Sequence, residues 1–166
     1  MKQRIYLSQP HVTGEEKAYI EKAFRTNNLT LFGDNIGEFE REAADYLGVK
    51  YSLAVNAGTA ALHLALRYAG VLKGDYVLCS SLTFAASCNP ILYLGGIPVL
   101  VDSDRKSWNM SPRALEKAVN WGKKNGITYK AAVIVELYGQ PAEYDELLAI
   151  LKKEKIIPCA IALNPA

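Results

Sequence analysis

From Tyr51 onward the chain alternates short, continuous apolar runs with segments whose apolar residues recur every three or four positions. Such alternation predicts strands buried on both faces and helices that cover them. The spacing predicts strands at 51–55, 76–80, 97–101, 131–136 and 156–161, with helices at 59–69, 84–94, 112–120 and 144–153. Ser111-Pro112 supplies an N-cap and an N1 proline for the third of these helices. Upstream of them, residues 1–12 read as an extended arm. Tyr19, Ile20, Ala23 and Phe24 mark a helix over 14–25 that opens on a Thr13/Glu16 capping pair. Ile36, Phe39, Ala43, Tyr46 and Leu47 mark a second helix that stops at Gly48, and residues 27–33 form the loop between the two. The pattern implies an α/β fold with a mostly parallel sheet flanked by helices on both faces. Residues 1–48 form an arm and two helices, and 49–166 form the sheet domain. Ligands in such folds belong at the C-terminal ends of the strands, here the loops 56–59, 80–84, 102–104 and 136–140.

Composition adds boundaries. Half of the 166 residues are hydrophobic and 22% are charged, which suits a folded domain with a sizeable core. A net charge of +2 with dispersed basic residues argues against nucleic acid or a membrane surface as partner. Tyr76 to Val101 carries no charge, but Ser80, Ser81, Thr83, Ser87, Asn89, Pro90, Gly95 and Gly96 punctuate it into strand, helix and strand rather than a membrane span. MKQRIYLSQP has no apolar core of signal-peptide length, so the chain is expected to stay in the cytosol. Cys79, Cys88 and Cys159 match neither a zinc spacing nor a disulfide framework and read as small core hydrophobes.

Candidate chemistry concentrates at Ala54 to Leu66, AVNAGTAALHLAL, which reads as strand, small-residue turn and buried helix. A helix opening on such a turn offers free backbone N–H groups and the positive end of its dipole to an anion such as phosphate. Thr59 can add its hydroxyl, with the Ala60 amide beside it. The turn is neither GxxxxGK[ST] nor GxGxxG, and on this motif alone a plain strand-to-helix turn without ligand is as good a reading. Phe84 begins the next helix just after a strand end, where its ring either stacks on a flat heteroaromatic group or packs into the core. Asp102 and Asp104 read as turn residues, and His63 as a packed histidine.

The runs LSQPHVTGEE, FGDNIGEFEREAADYLGVKY, NAGTAALHLALRYAGV, SSLTFAASCNPILYLGGIPVLVD and ELYGQPAEYDEL, in that order, resemble the N-terminal part of the DegT/DnrJ/EryC1/StrS family of pyridoxal-phosphate-dependent sugar aminotransferases. The resemblance is strongest to the branch that aminates UDP-4-keto-6-deoxy-N-acetylglucosamine. It implies that Gly58, Thr59 and Ala60 bind the phosphate of pyridoxal 5'-phosphate and that Phe84 stacks on its ring. It also implies that Asn27, Leu29 and Thr30 lie near a nucleotide-sugar substrate, with an amino acid, glutamate, as amino donor. The implied fold is that of a fold-type I homodimer, of which this chain carries part of the large domain without its later strands or the small C-terminal domain. Glu136 stands in ELYGQ where family members commonly carry histidine, and NNLTLFGDN lacks the aromatic and proline typical of that branch.

After KIIP the family carries a Glu-Asp-Ala-Ala run, whose aspartate pairs with the pyridine nitrogen, and later a lysine that holds the cofactor as a Schiff base. Here the sequence reads CAIALNPA. Amino transfer needs both groups, so the chain alone is expected to be an inactive, truncated aminotransferase prone to self-association. The alternatives are a non-catalytic fragment that binds a phosphorylated ligand or dimerises, and a fragment of a related sugar dehydratase.

Overall fold

The computed structural model describes residues 11–30 and 33–163 and divides, between Asn56 and Ala57, into two compact units. Most of the arm expected at 1–12 lies outside the described residues.

The first unit holds helices α1 (Glu16–Arg25) and α2 (Asp34–Leu47). Helix α1 starts two residues later than the spacing predicts, because Gly14 takes a positive φ of 96°. The backbone N–H groups of Thr13 and Gly14 instead donate to the Glu16 carboxylate, each at 2.9 Å. These bonds, that from Thr13 first, hold the Glu16 carboxyl down at about 2. A carboxyl depressed in the folded chain stabilises above its unfolded value, and that contribution fades as pH falls from 4.5 toward about 2. A carbon-13 titration of the Glu16 side chain is expected to place its midpoint well below the free-glutamate value, and a midpoint near 4.5 would refute this start to the helix. Helix α2 ends as predicted on Gly48, in the left-handed region at φ 65°.

The apolar stripes of these helices are not covered among the described residues: α1 buries no residue and α2 only Ala44, with Phe24, Phe39, Tyr46 and Leu47 exposed. The strand predicted at 51–55 is absent. Tyr51 and Leu53 are exposed, and the Ala54 N–H donates to Glu40 Oε1 at 2.8 Å rather than to a neighbouring strand. An apolar run becomes a parallel strand only when another strand accepts its ladder, and none of the described strands does so here.

In the second unit, β1 (Tyr76–Ser80), β2 (Ile97–Val101), β3 (Tyr129–Leu137) and β4 (Ile157–Leu163) form an all-parallel sheet in the order β2-β1-β3-β4. Helices α3 (Gly58–Tyr68) and α4 (Asn89–Tyr93) cover one face, where Leu62, Leu66 and Ile91 meet Val77, Cys79, Ala131, Val133 and Cys159. Helices α5 (Pro112–Lys124) and α6 (Tyr144–Lys153) cover the other, where Leu115, Val119, Leu147 and Leu151 meet Leu78, Ala132 and Ile134. From Ala131 to Val135 the odd and even residues of β3 therefore feed different cores, which is why the strand reads as one continuous apolar run. Serine at the head of α5 caps as expected, with Ser111 Oγ accepting from the Ala114 N–H at 3.3 Å.

Two helices differ from the spacing. The helix predicted over 84–94 divides into a 3-10 turn, Ala85–Ser87, and α4, with Phe84 extended before them at φ −69°, ψ 140°. Pro90 has no N–H to give to an earlier turn and sits instead in the first turn of α4. Helix α5 runs four residues past the prediction, through Gly122, because Tyr129 packs where a side chain would stand. The uncharged run from Tyr76 to Val101 is divided among β1, the 3-10 turn, α4 and β2, and no helix among the described residues is long and apolar enough to cross a membrane.

Candidate functional site

Helix α3 opens on Ala57, which is extended, with Gly58 as its first residue. The N–H groups of Ala60 and Ala61 both donate to the Ala57 carbonyl, at 3.0 and 3.1 Å. Among the described residues no backbone carbonyl accepts from Gly58 or Thr59, no side chain caps the helix, and its first turn holds no acidic residue. Two donors and an unopposed dipole end therefore remain at the head of an eleven-residue helix. A Cβ built on Gly58 would lie 3.4 Å from Ile161 Cδ1, so this first turn rests on the C-terminal half of β4. Thr59 and Ala60 are half-buried.

Phe84 stands at the end of the loop that leaves β1 and is 70% exposed. The turn after it is held by the Ser87 N–H donating to the Phe84 carbonyl at 2.9 Å and by a 2.7 Å hydrogen bond between the Thr83 and Ser87 hydroxyls. That turn and α4 pack directly on α3. The head of α3 and the exposed aromatic thus belong to neighbouring segments at the C-terminal edge of one sheet. Nothing in the sequence spacing between residues 59 and 84 dictates that proximity.

The other two loops at this edge are held by side chains that bond to backbone groups. Asp104 Oδ1 accepts from the N–H groups of Lys106 and Ser107, at 2.8 and 3.3 Å, which makes it the turn residue the sequence suggested and holds its carboxyl below the usual range. Buried Asn109, which sequence reasoning passed over, ties this loop to the end of β3. Its Nδ2 donates to the Gln140 and Pro141 carbonyls at 2.7 and 3.1 Å, and its Oδ1 accepts from the Leu137 N–H at 2.8 Å. The available signal was a polar amide between apolar Trp108 and Met110. Behind Glu136, burial and then the neighbouring carboxylate push the Tyr144 hydroxyl up to about 12, so it stays a protonated donor through the neutral range.

In the first unit, Asn27 follows α1 in the left-handed region at φ 55°, and its N–H donates to the Phe24 carbonyl at 3.2 Å. Leu29 is exposed, and the Thr30 carbonyl accepts from the Gly33 N–H at 3.1 Å, so the loop closes on itself. Leu31 and Phe32 lie outside the described residues.

A family model, the DegT/DnrJ/EryC1/StrS aminotransferase family, matches residues 10–159. EpsN of Bacillus subtilis (strain 168), whose name assigns it provisionally to the pyridoxal phosphate-dependent aminotransferases, is 49% identical over 150 residues, covering 90% of this chain and 39% of EpsN. GDP-perosamine synthase of Caulobacter vibrioides is 38% identical over 154 residues, covering 93% of this chain and 40% of that enzyme. The crystal structure of a DegT/DnrJ/EryC1/StrS aminotransferase from Brucella abortus superposes with a TM-score of 0.78 at 31% identity, over 90% of this chain and 43% of that one. The chain spans about two fifths of the length of the curated relatives it matches.

Proposed function

The chain belongs to the DegT/DnrJ/EryC1/StrS aminotransferase family, and we propose that Gly58, Thr59, Ala60 and Phe84 form the cofactor half-site of a transaminase acting on a nucleotide sugar. The observation that carries this reading is the pair of unaccepted N–H groups on Gly58 and Thr59, beside a turn that presents an exposed aromatic ring. The donors present fit a phosphate monoester. Two amides and the Thr59 hydroxyl can meet its oxygens at the positive end of α3, and no carboxylate in that first turn opposes them. The Phe84 ring offers a flat apolar face to the heterocycle and keeps water from that side. Pyridoxal 5'-phosphate, when bound, supplies the electron sink for moving an amino group between an amino acid and a keto group.

The substrates follow from the family resemblance: an amino donor, glutamate, and a 4-keto sugar nucleotide, with Asn27, Leu29 and Thr30 toward the sugar. The uncovered apolar stripes of α1 and α2 support a homodimer. The resemblance assigns the lysine and aspartate of the reaction to segments that follow Pro158 in the family, so cofactor binding without transfer is the proposed behaviour of these residues by themselves.

An absorbance titration with pyridoxal phosphate tests the reading. Saturable binding is expected, competed by inorganic phosphate and weakened about tenfold by Thr59→Ala, the size of one lost hydrogen bond to a charged group. Borohydride treatment followed by mass spectrometry should leave no lysine adduct. Equal affinity of Thr59→Ala and the parent chain would remove the phosphate turn from the proposal.

A further inference from the structure

Cys79 and Cys88 are nine residues apart in sequence, and the fold places their sulfur atoms 3.3 Å from each other. Both are free thiols. Cys79 lies near the end of β1, fully buried on the face covered by α3, while Cys88 joins the 3-10 turn to α4 and is half-buried. The third thiol is excluded by the sheet. Cys79 pairs in register with Val133, and Val133 with Cys159, so Cys159 stands two strands away, roughly 10 Å by strand spacing and beyond disulfide reach.

We propose that Cys79 and Cys88 are a reversible dithiol–disulfide couple, oxidised by a small-molecule disulfide of the glutathione class, that clamps the Phe84-bearing turn to β1. Cys88, the less buried of the two residues, reacts first. The Cys88 thiolate attacks one sulfur of the small disulfide, forms a mixed disulfide and expels one thiolate. Cys79 then attacks the Cys88 sulfur, loses its proton and displaces the second thiolate. Two protein thiols become one internal disulfide, and the small disulfide is reduced to two thiols.

Closing 3.3 Å to a covalent bond needs about 1.2 Å of approach, taken up on the Cys88 side, where a 3-10 turn meets a five-residue helix rather than a sheet ladder. Burial, then the neighbouring Cys88, push the Cys79 thiol well above its ordinary value. Cys79 is therefore inert toward external reagents and reacts only with the sulfur beside it. The loop closed is short, and Phe84 lies four residues before Cys88 inside it. The couple depends on no bound ligand, so it stands or falls separately from the cofactor reading.

The test equilibrates the whole chain with glutathione redox buffers in native conditions and in urea, followed by acid quench, alkylation and peptide mapping. The expected native product is lighter by about 2 Da, with one linked peptide joining Cys79 to Cys88, Cys159 still alkylatable and full reversal by dithiothreitol. The equilibrium constant for the internal bond should be at least about tenfold larger in native buffer than in urea, since the fold holds the sulfurs together. Cys88→Ser should abolish the product and Cys159→Ser should leave it unchanged, while the mapping of the parent chain needs no variant. A lasting glutathione adduct on Cys88, a bond to Cys159, no native reaction, or a constant no larger than in urea would overturn the proposal.

Discussion

Replacing Gly122 by alanine is expected to destabilise the sheet unit by about 2–3 kcal/mol, although alanine is the better helix former by about 1 kcal/mol. Gly122 lies buried in α5, and a Cβ there would stand 2.5 Å from Tyr129 Cε2 and 2.9 Å from its Cζ and Oη. The ring cannot simply turn away. Tyr129 begins β3, is 8% exposed, and its hydroxyl donates to the Ala118 carbonyl at 2.9 Å. Making room displaces the ring and breaks that part-buried bond, at about 1 kcal/mol on top of the overpacking. Urea unfolding of the single variant should show a lower midpoint. In a Tyr129→Leu background the same glycine change should become neutral or stabilising, and a cost that persists there would mean the ring contact is not its cause.

Asn109→Ala is expected to cost about 3–4 kcal/mol, because one side chain answers three backbone groups. The Leu137 N–H and the Gln140 and Pro141 carbonyls would all lose a partner in a site where Asn109 is 2% exposed. Asn109→Asp separates the two halves of this arrangement. Its carboxylate still accepts from Leu137 but faces two carbonyl oxygens, so the variant should be at least as unstable at neutral pH. It should recover in part as acid protonates the new carboxyl and restores a donor. Thermal unfolding of both variants across pH would check this. A neutral Asn109→Ala would mean that the loops 104–110 and 136–141 are held elsewhere.

The legible part of this protein lies where local chemistry and periodicity agree. The Ser111 cap, the Gly48 stop and the apolar runs of β1, β2, β3 and β4 each carry their instruction within a few residues, and the structure follows them, β1 and β2 to the residue and β3 and β4 within two positions at either end. The same holds for the head of α3, where small residues announce a turn with free amides. The departures share another cause. Tyr51–Val55 has strand composition but no ladder, and the 84–94 segment has helix composition but a proline that starts its own turn. Asn109 and the Cys79–Cys88 pair carried no local signal sufficient to find them, since their meaning is who stands opposite.

The sequence by itself determined the α/β class, most of the element order, the family and the candidate phosphate turn, because periodicity, caps and small-residue turns act over distances the chain spans in one or two turns of helix. Only the tertiary structure decided the strand order β2-β1-β3-β4, the packing of the Phe84 turn on α3, the amide staple at Asn109 and the approach of Cys88 to Cys79. These are contacts between segments whose separation in sequence places no constraint on their distance in space, and they form only when both faces of the sheet are buried at once.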